Sequence, residues 1–177
     1  MHSSRFLLLL VAISPAVISC AGASVVAEDN SISHQVARIA MSASGGEFAD
    51  AIVKEMRDSE QNTAEVMDTH STMELLERLG MKNIHATLPE GLELLRADGI
   101  DAWMKASEAT HPTSDTPQSV DIVLTSTHDL RQFIKFTWIN AWGGMKGSIA
   151  DAVMRKGRTA AAKAVADEIV RRLHSDQ

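Results

Sequence analysis

The stretch VDIVLTSTHDLRQFIKFTWI, residues 120–139, decides the fold. Apolar and polar side chains alternate in two parts of it, residues 120–125 and 134–139. Alternation with a period of two is typical of strands that bury one face. Two such strands joined by a short polar loop predict an antiparallel hairpin, with Trp138 on the buried side.

The residues before this hairpin indicate a strand, a helix and a second strand. Residues 36–41 alternate weakly and are bounded by Ser and Gly, which predicts the first strand. Residues 47–58 carry apolar side chains at spacings of three and four, the pattern of an amphipathic helix. Residues 64–67 predict the second strand. The inner face of the helix is predicted to contain Ala49, Ile52, Val53 and Met56.

Two capping-box patterns predict two further helices. The first pattern, over residues 71–74, opens a helix that stops at Gly80. The second, over residues 87–90 with Pro89 in the first turn, opens a helix that ends near Gly99. The side chains predicted to face inward are Met73, Leu76, Leu79, Leu92 and Leu95.

The remaining patterns predict a strand over residues 100–106, a proline-containing break over residues 111–118 and a closing helix. The helix opens with a capping box over residues 148–151, and Gly157 inside it predicts a kink or a split. Its inner stripe is predicted to contain Ala162, Val165, Ala166, Ile169, Val170 and Leu173. The order β-α-β-α-α-β-β-β-α predicts an α/β (α+β) fold, with helices packed on a single mixed β-sheet.

The amino-terminal residues have the pattern of a secretory signal. Arg5 precedes an apolar segment, residues 6–18, which is too short for a transmembrane helix. The segment leads into VISC, residues 17–20, which resembles the lipobox of bacterial lipoproteins. In that family the signal is cut before the cysteine, and the thiol carries a diacylglycerol. The alternative is an ordinary signal peptide cut at the alanines just after Cys20, which would discard the cysteine.

Cleavage before Cys20 would divide the chain into three parts. These are a lipoprotein signal peptide over residues 1–19, an acylated cysteine with a flexible tether over residues 20–34, and one α/β domain over residues 35–177. The 158 mature residues would hold 16 Lys and Arg against 23 Asp and Glu. Such an acidic domain is a poor candidate for binding nucleic acid. With Cys20 as the lipidation site, the mature chain would have no free thiol for catalysis, zinc or a disulfide.

The order of elements behind a lipobox resembles a group of bacterial envelope lipoproteins. The group includes the curli secretion-channel lipoprotein, the activators of penicillin-binding proteins and the amino-terminal domain of the Tol-system propeller protein. The match covers about residues 35–174. The likeness is carried by residues 36–40, 48–52, 65–68 followed by 73–77, 99–102, and 161–166 with Leu173.

The resemblance implies a periplasm-facing, non-catalytic adaptor or assembly factor of an envelope complex. It implies an envelope protein as partner, with a homo-oligomer as a further possibility, and attachment to the membrane through the amino-terminal lipid. An Asp after the lipidated cysteine is the usual inner-membrane retention signal in the resembling bacteria, so Ala21 favours the bacterial outer membrane. The transmembrane hairpins of the curli channel subunit and the long tether of the synthase activators are absent. Pore formation is therefore in doubt.

No spacing in the chain is typical of a catalytic or metal site. The seven histidines are scattered, and neither His-Glu-x-x-His nor Gly-x-Ser-x-Gly is present. We therefore predict a protein that is not an enzyme and has no cofactor or metal. One metal alternative is open, because His111 and His128 bracket a strand and could meet with Asp115 or Asp129.

Exposed aromatic side chains at strand ends are plausible partner anchors. Trp142 with Gly143 and Gly144 is therefore the predicted partner-binding site, although Trp142 could instead cover the sheet edge. The alternative function is a small-molecule or anion-binding domain that uses glycine-rich loops before helices. Its candidate residues are Ser44, Gly45, Gly46 and Ser148.

Overall fold

The structure is a computed structural model that describes residues 24–29, 35–111, 114–140 and 156–175. The strands in this part of the chain are β1 (Ser24–Asp29), β2 (Arg38–Met41), β3 (Glu65–Met67), β4 (Ala102–His111), β5 (Ser114–Ser126) and β6 (Gln132–Ile139). The α-helices are α1 (Gly46–Arg57), α2 (Thr69–Arg78), α3 (Pro89–Ala97) and α4 (Arg158–Ser175). Short 3₁₀ helices occur at Ala43–Gly45 and Asn83–Thr87. None of the described helices is long and apolar enough to cross a membrane.

The strands form one mixed sheet in the order β1-β6-β5-β4-β2-β3. Strand β2 is parallel to β3 and β4, whereas β4, β5, β6 and β1 pair antiparallel in succession. Strands β5 and β6 form the predicted hairpin, with Val120 opposite Trp138 and Ile122 opposite Phe136. The α+β class with a single mixed sheet is therefore confirmed.

Helices pack on both faces of this sheet. Helices α1 and α4 cover one face and enclose the larger core, which contains Trp138 as predicted. The α4 side chains Val165 and Ile169 are fully buried in it, and Leu173 is partly buried at its rim. Helices α2 and α3 cover part of the other face, around a second core that contains Trp103.

Residues 24–29 form β1, although the sequence predicted a flexible tether over residues 20–34. Strand β1 pairs with β6 from Ser24, opposite Ile139, to Asp29, opposite Ile134. The prediction was wrong for these six residues because an edge strand needs no periodicity of its own. Its neighbour supplies the backbone hydrogen-bond partners, and β-propensity depends strongly on such context.

Helix α2 begins earlier than the capping box predicted. Its N-cap is Asp68, whose carboxylate accepts the backbone N–H of Ser71 at 2.8 Å, and its first residue is Thr69. The predicted inward position of Met73 is also wrong, because this side chain is 48% exposed. Leu75 is buried in the second core, as is the correctly predicted leucine that follows it.

Two boundaries near the ends of the sheet also differ from the prediction. Strand β5 begins at Ser114 and includes Pro117, where the sequence predicted a break. The β4–β5 ladder changes register at this point, which is where a strand tolerates a residue without an N–H. Helix α4 begins at Arg158, directly after Gly157, so the described helix has no internal glycine. The capping box over residues 148–151 lies outside the described residues.

Candidate functional site

An exposed apolar surface lies on the 3₁₀ helix Asn83–Thr87 and the adjoining α3. Three aliphatic side chains define it: Ile84 is 68% exposed, Leu88 49% and Leu94 44%. Single exposed apolar residues are normal, but Leu88 and Leu94 also line one groove, and exposed apolar residues that lie together are typical of interaction sites. We name these three residues, with the groove beside them, the α3 surface.

A groove of about 330 Å³ belongs to the α3 surface. It is lined by Met81, His85, Leu88, Glu90, Gly91 and Leu94. Three of these six residues are Met or Leu, and Glu90 is the one carboxylate in the lining. Apolar side chains with few charges are the usual composition of the centre of a protein contact surface.

The groove depends on a close approach of two backbones. A Cβ added at Gly91 would overlap the carbonyl oxygen of His85 and would lie 3.0 Å from the Cα of Ala86. Glycine therefore allows α3 to pack directly on the 3₁₀ helix. Leu88 occupies the N-cap of α3 and makes no side-chain cap, so the capping box predicted from Thr87 is wrong.

Sequence reasoning missed the α3 surface. It assigned Leu92 and Leu95 to the buried side of α3, which the structure confirms, and gave Leu94 no role. A large apolar residue beside the buried stripe of an amphipathic helix was the available signal. Ile84 lies where no element was predicted, and Leu88 lies inside the predicted capping box, where it was given no role.

Charged groups mark both ends of the apolar part of α3. Glu90, Leu94 and Asp98 follow one another at intervals of four residues, so they lie along one side of the helix. Asp98 accepts a hydrogen bond from Arg78 of α2 at 2.7 Å. Within the described part of the chain, Glu90 has no ion-pair partner.

The glycine-rich segment predicted for anions follows β2 and is held by side chains around it. The backbone N–H of Ser42 donates to the carbonyl of Met104 at 2.7 Å. The Asn83 side-chain oxygen accepts the N–H of Ala43 at 3.1 Å. The hydroxyl oxygens of Ser42 and Ser44 are 2.9 Å apart.

Gly45 and Gly46 have local structural roles. A Cβ at Gly45 would overlap the Cβ of Ala49 and would lie 3.4 Å from the carbonyl oxygen of Ala106. Gly46 has a φ of +58°, a conformation that other residues rarely adopt. Close packing and a tight turn thus account for both glycines, and anion binding by this segment stays a prediction.

The predicted lipidation residue Cys20, the predicted partner-binding residues Trp142, Gly143 and Gly144, and the anion-binding candidate Ser148 lie outside the described residues. The two residues that flank residues 141–155, Asn140 and Lys156, are hydrogen-bonded to each other. Its side-chain amide donates to the carbonyls of Pro117 at 2.8 Å and Lys156 at 2.9 Å, and its oxygen accepts the N–H of Lys156 at 3.0 Å. Residues 141–155 therefore begin and end at the same place on the fold.

Nε2 of His128 lies 3.1 Å from the carboxylate of Asp101, which was not among its predicted metal partners. The Asp129 carboxylate contacts Arg131 at 3.2 Å. Burial raises the pKa of Asp129, but bonds from neighbouring donors outweigh this and hold that pKa below its usual value. No group of His, Cys, Asp and Glu within the described residues could hold a metal ion. The side chains of two further candidates, His111 and Asp115, are not described.

The pairing of β1 fixes the start of the described chain at one end of the sheet. Ser24 lies opposite Ile139, and Asn140 follows directly. Cys20 precedes Ser24 by four residues, a distance of at most about 14 Å even when fully extended. Ser24 and the two flanks of residues 141–155 therefore lie at this end of the sheet.

No protein-family model matches the chain, and no curated protein matches it in sequence. Solved structures share its fold. A single-residue variant of the PelC dodecamer from Paraburkholderia phytofirmans has a TM-score of 0.51 and 12% identity, over 85% of this chain and 97% of PelC. The PelC dodecamer itself has a TM-score of 0.48 and 13% identity, over 85% and 96% of the two chains.

A more distant likeness is to the lipoprotein GNA1162 of Neisseria meningitidis. It has a TM-score of 0.41 and 16% identity, over 75% of this chain and 96% of the Neisseria protein. At such identities the comparisons establish a shared fold with PelC and leave activity open. The narrower resemblance to the curli, synthase-activator and Tol group stays a prediction.

Proposed function

We propose that the chain is a lipid-anchored, periplasm-facing lipoprotein of the bacterial outer membrane. In this proposal it is a non-catalytic adaptor or assembly factor that contacts a protein partner through the α3 surface. The observation that carries the proposal is the group of exposed aliphatic side chains around an apolar groove, on helices packed against a well-formed core. Desolvating such a group against a partner is favourable, at roughly 25 cal/mol per Å² of apolar area.

The anchor in this proposal is a diacylglycerol on Cys20. Because β1 already begins at Ser24, only residues 21–23 would separate the lipidated cysteine from the sheet. This link is much shorter than the tether of about 13 residues that the sequence predicted. The domain would therefore sit close to the membrane, with the Ser24 end of the sheet nearest to it.

A partner in or near the same membrane fits this short link. A second copy of the chain is one such partner, and the shared fold with PelC supports it, because that protein is described as a dodecamer. An enzyme embedded in the opposite membrane would be out of reach, because about 14 Å of link cannot span the periplasm.

Site-specific photo-crosslinking in cells tests the contact role of the α3 surface. A photoreactive residue replaces Leu88 in one variant and Lys163 in a control, because Lys163 is exposed on α4 at the other face of the sheet. We expect a defined crosslinked species from position 88 and none from position 163. No crosslink from position 88, or the same products from both positions, would contradict the proposal.

A further inference from the structure

The α3 surface has a charge pattern that matches its own copy. Along one side of α3, Glu90 comes first, Leu94 lies one turn later, and Asp98 with its partner Arg78 lies a further turn along. An acid without a described ion-pair partner therefore stands at one end of an apolar centre, and an arginine stands at the other end. The Arg78 side chain is 65% exposed, and a guanidinium has five N–H donors, so it can bind a second carboxylate.

We propose that the α3 surface pairs with the same surface of a second copy, with the two α3 helices antiparallel. This inference rests on the proposed function, in which the α3 surface is a contact surface, and it names the occupant. A two-fold axis through Leu94 brings the two Leu94 side chains together. The same axis places Glu90 of each copy opposite Arg78 and Asp98 of the other, because Glu90 and Asp98 both lie four residues from the centre.

Two-fold symmetry makes every contact in this arrangement occur twice. Arg78 bridges Asp98 of its own chain and Glu90 of the second copy, so the like charges of the two acids are separated by a guanidinium. Leu88 lines the same groove as Leu94 and extends the apolar contact. The pattern selects against a parallel arrangement, which would set Glu90 against Glu90 and Arg78 against Arg78.

The experiment reverses charges on either side of the proposed interface and measures association. The full chain is solubilised in detergent, and its molar mass is measured by sedimentation equilibrium over a range of concentrations. We expect the unaltered chain to dimerise or to form larger even-numbered assemblies. Glu90→Lys and Arg78→Glu should each weaken association about tenfold, because each variant sets like charges against each other.

Mixing these two variants tests whether their weaker association comes from charges that meet between two copies. A Glu90→Lys chain facing an Arg78→Glu chain has opposite charges at both contacts, so we expect the mixture to associate like the unaltered chain. Leu94→Ser should weaken association at least tenfold, whereas Leu130→Ser, at a similarly exposed leucine on the β5–β6 turn, should not. Thermal unfolding of each variant verifies that it is folded.

Three results would overturn the inference. They are an unaltered chain that is monomeric at 100 µM (about a hundredfold above a micromolar Kd), a mixture of charge variants that fails to associate, or equal effects of the Leu94 and Leu130 variants. A crosslink from position 88 to a different protein would assign another occupant to the α3 surface. That result would refute self-pairing and leave the proposed contact role intact.

Discussion

Asp101 shows how one carboxylate joins separate parts of the fold. Its Oδ2 accepts the backbone N–H groups of Ala37 and Arg38, both at 2.9 Å, where β2 begins. Its Oδ1 lies 3.1 Å from Nε2 of His128 in the β5–β6 turn. Burial raises the pKa of Asp101, but the bonds from His128 and the two N–H groups outweigh it and hold the pKa below its usual value. The ionised form is therefore the one that stabilises the fold.

Replacing Asp101 tests this role through its pH dependence. A group with a lowered folded pKa stabilises the protein above its unfolded pKa of about 3.9, and that stabilisation is lost as the pH falls through the folded value. We expect Asp101→Asn to lower the free energy of unfolding by about 1–3 kcal/mol at pH 7 and by less at pH 2.5. Urea titrations at both pH values measure this. Asp58→Asn, at an exposed carboxylate, should change little. Equal losses for Asp101→Asn at both pH values would contradict the account.

At the scale of elements, the contact of α3 with the 3₁₀ helix depends on Gly91. The Cβ of Gly91→Ala would overlap the His85 carbonyl, so one backbone must move. We expect a loss of about 1–3 kcal/mol in the free energy of unfolding, the usual effect of overpacking. Gly157→Ala is the matched control, because a Cβ there meets nothing within 4 Å, and its effect should stay within about 0.5 kcal/mol. Indistinguishable denaturant midpoints for the two variants would show that α3 and the 3₁₀ helix do not pack closely at Gly91.

Helix α4 is expected to stabilise the sheet through its buried stripe. Ile169 is fully buried in the larger core, whereas Leu173 is only partly buried. We expect Ile169→Ala to lower the free energy of unfolding by about 2–5 kcal/mol and Leu173→Ala to have a smaller effect. Chemical denaturation of both variants measures the difference. A loss below about 0.5 kcal/mol for Ile169→Ala would show that this stripe is not packed on the sheet.

Elements with strong internal patterns were predictable from the sequence, and elements defined by their neighbours were not. The apolar residues that alternate in β5 and β6, and those that form one stripe on α1, are the residues that face the core. The buried faces of these elements were therefore assigned correctly. Strand β1 has no such apolar pattern, because its position is fixed by backbone pairing with β6. Met73 was misplaced because the buried side of α2 includes the polar residues Thr69 and Thr72, which an apolar pattern does not indicate. The α3 surface was missed because the pattern shows which residues are buried and does not show where exposed apolar residues come together.

At the scale of the whole molecule, the fold and the proposed anchor together determine where the domain would lie relative to the membrane. Strand β1 ties the link after Cys20 to the edge of the sheet, and Asn140 ties both flanks of residues 141–155 to the same end. Attachment through Cys20 would hold this end within about 14 Å of the lipid. The proposed contacts are therefore expected between molecules that share one membrane.

The most direct measurement of this account is lipid attachment at Cys20. Cells that express the unaltered chain, Cys20→Ser or the control Ala23→Ser are grown with a fatty-acid analogue, and the chain is followed through membrane fractionation. We expect the unaltered chain and Ala23→Ser to carry the label and to sediment with the outer membrane. Cys20→Ser should lose both the label and the membrane association. Normal labelling and fractionation of Cys20→Ser would contradict the lipid anchor and, with it, the position proposed for the domain.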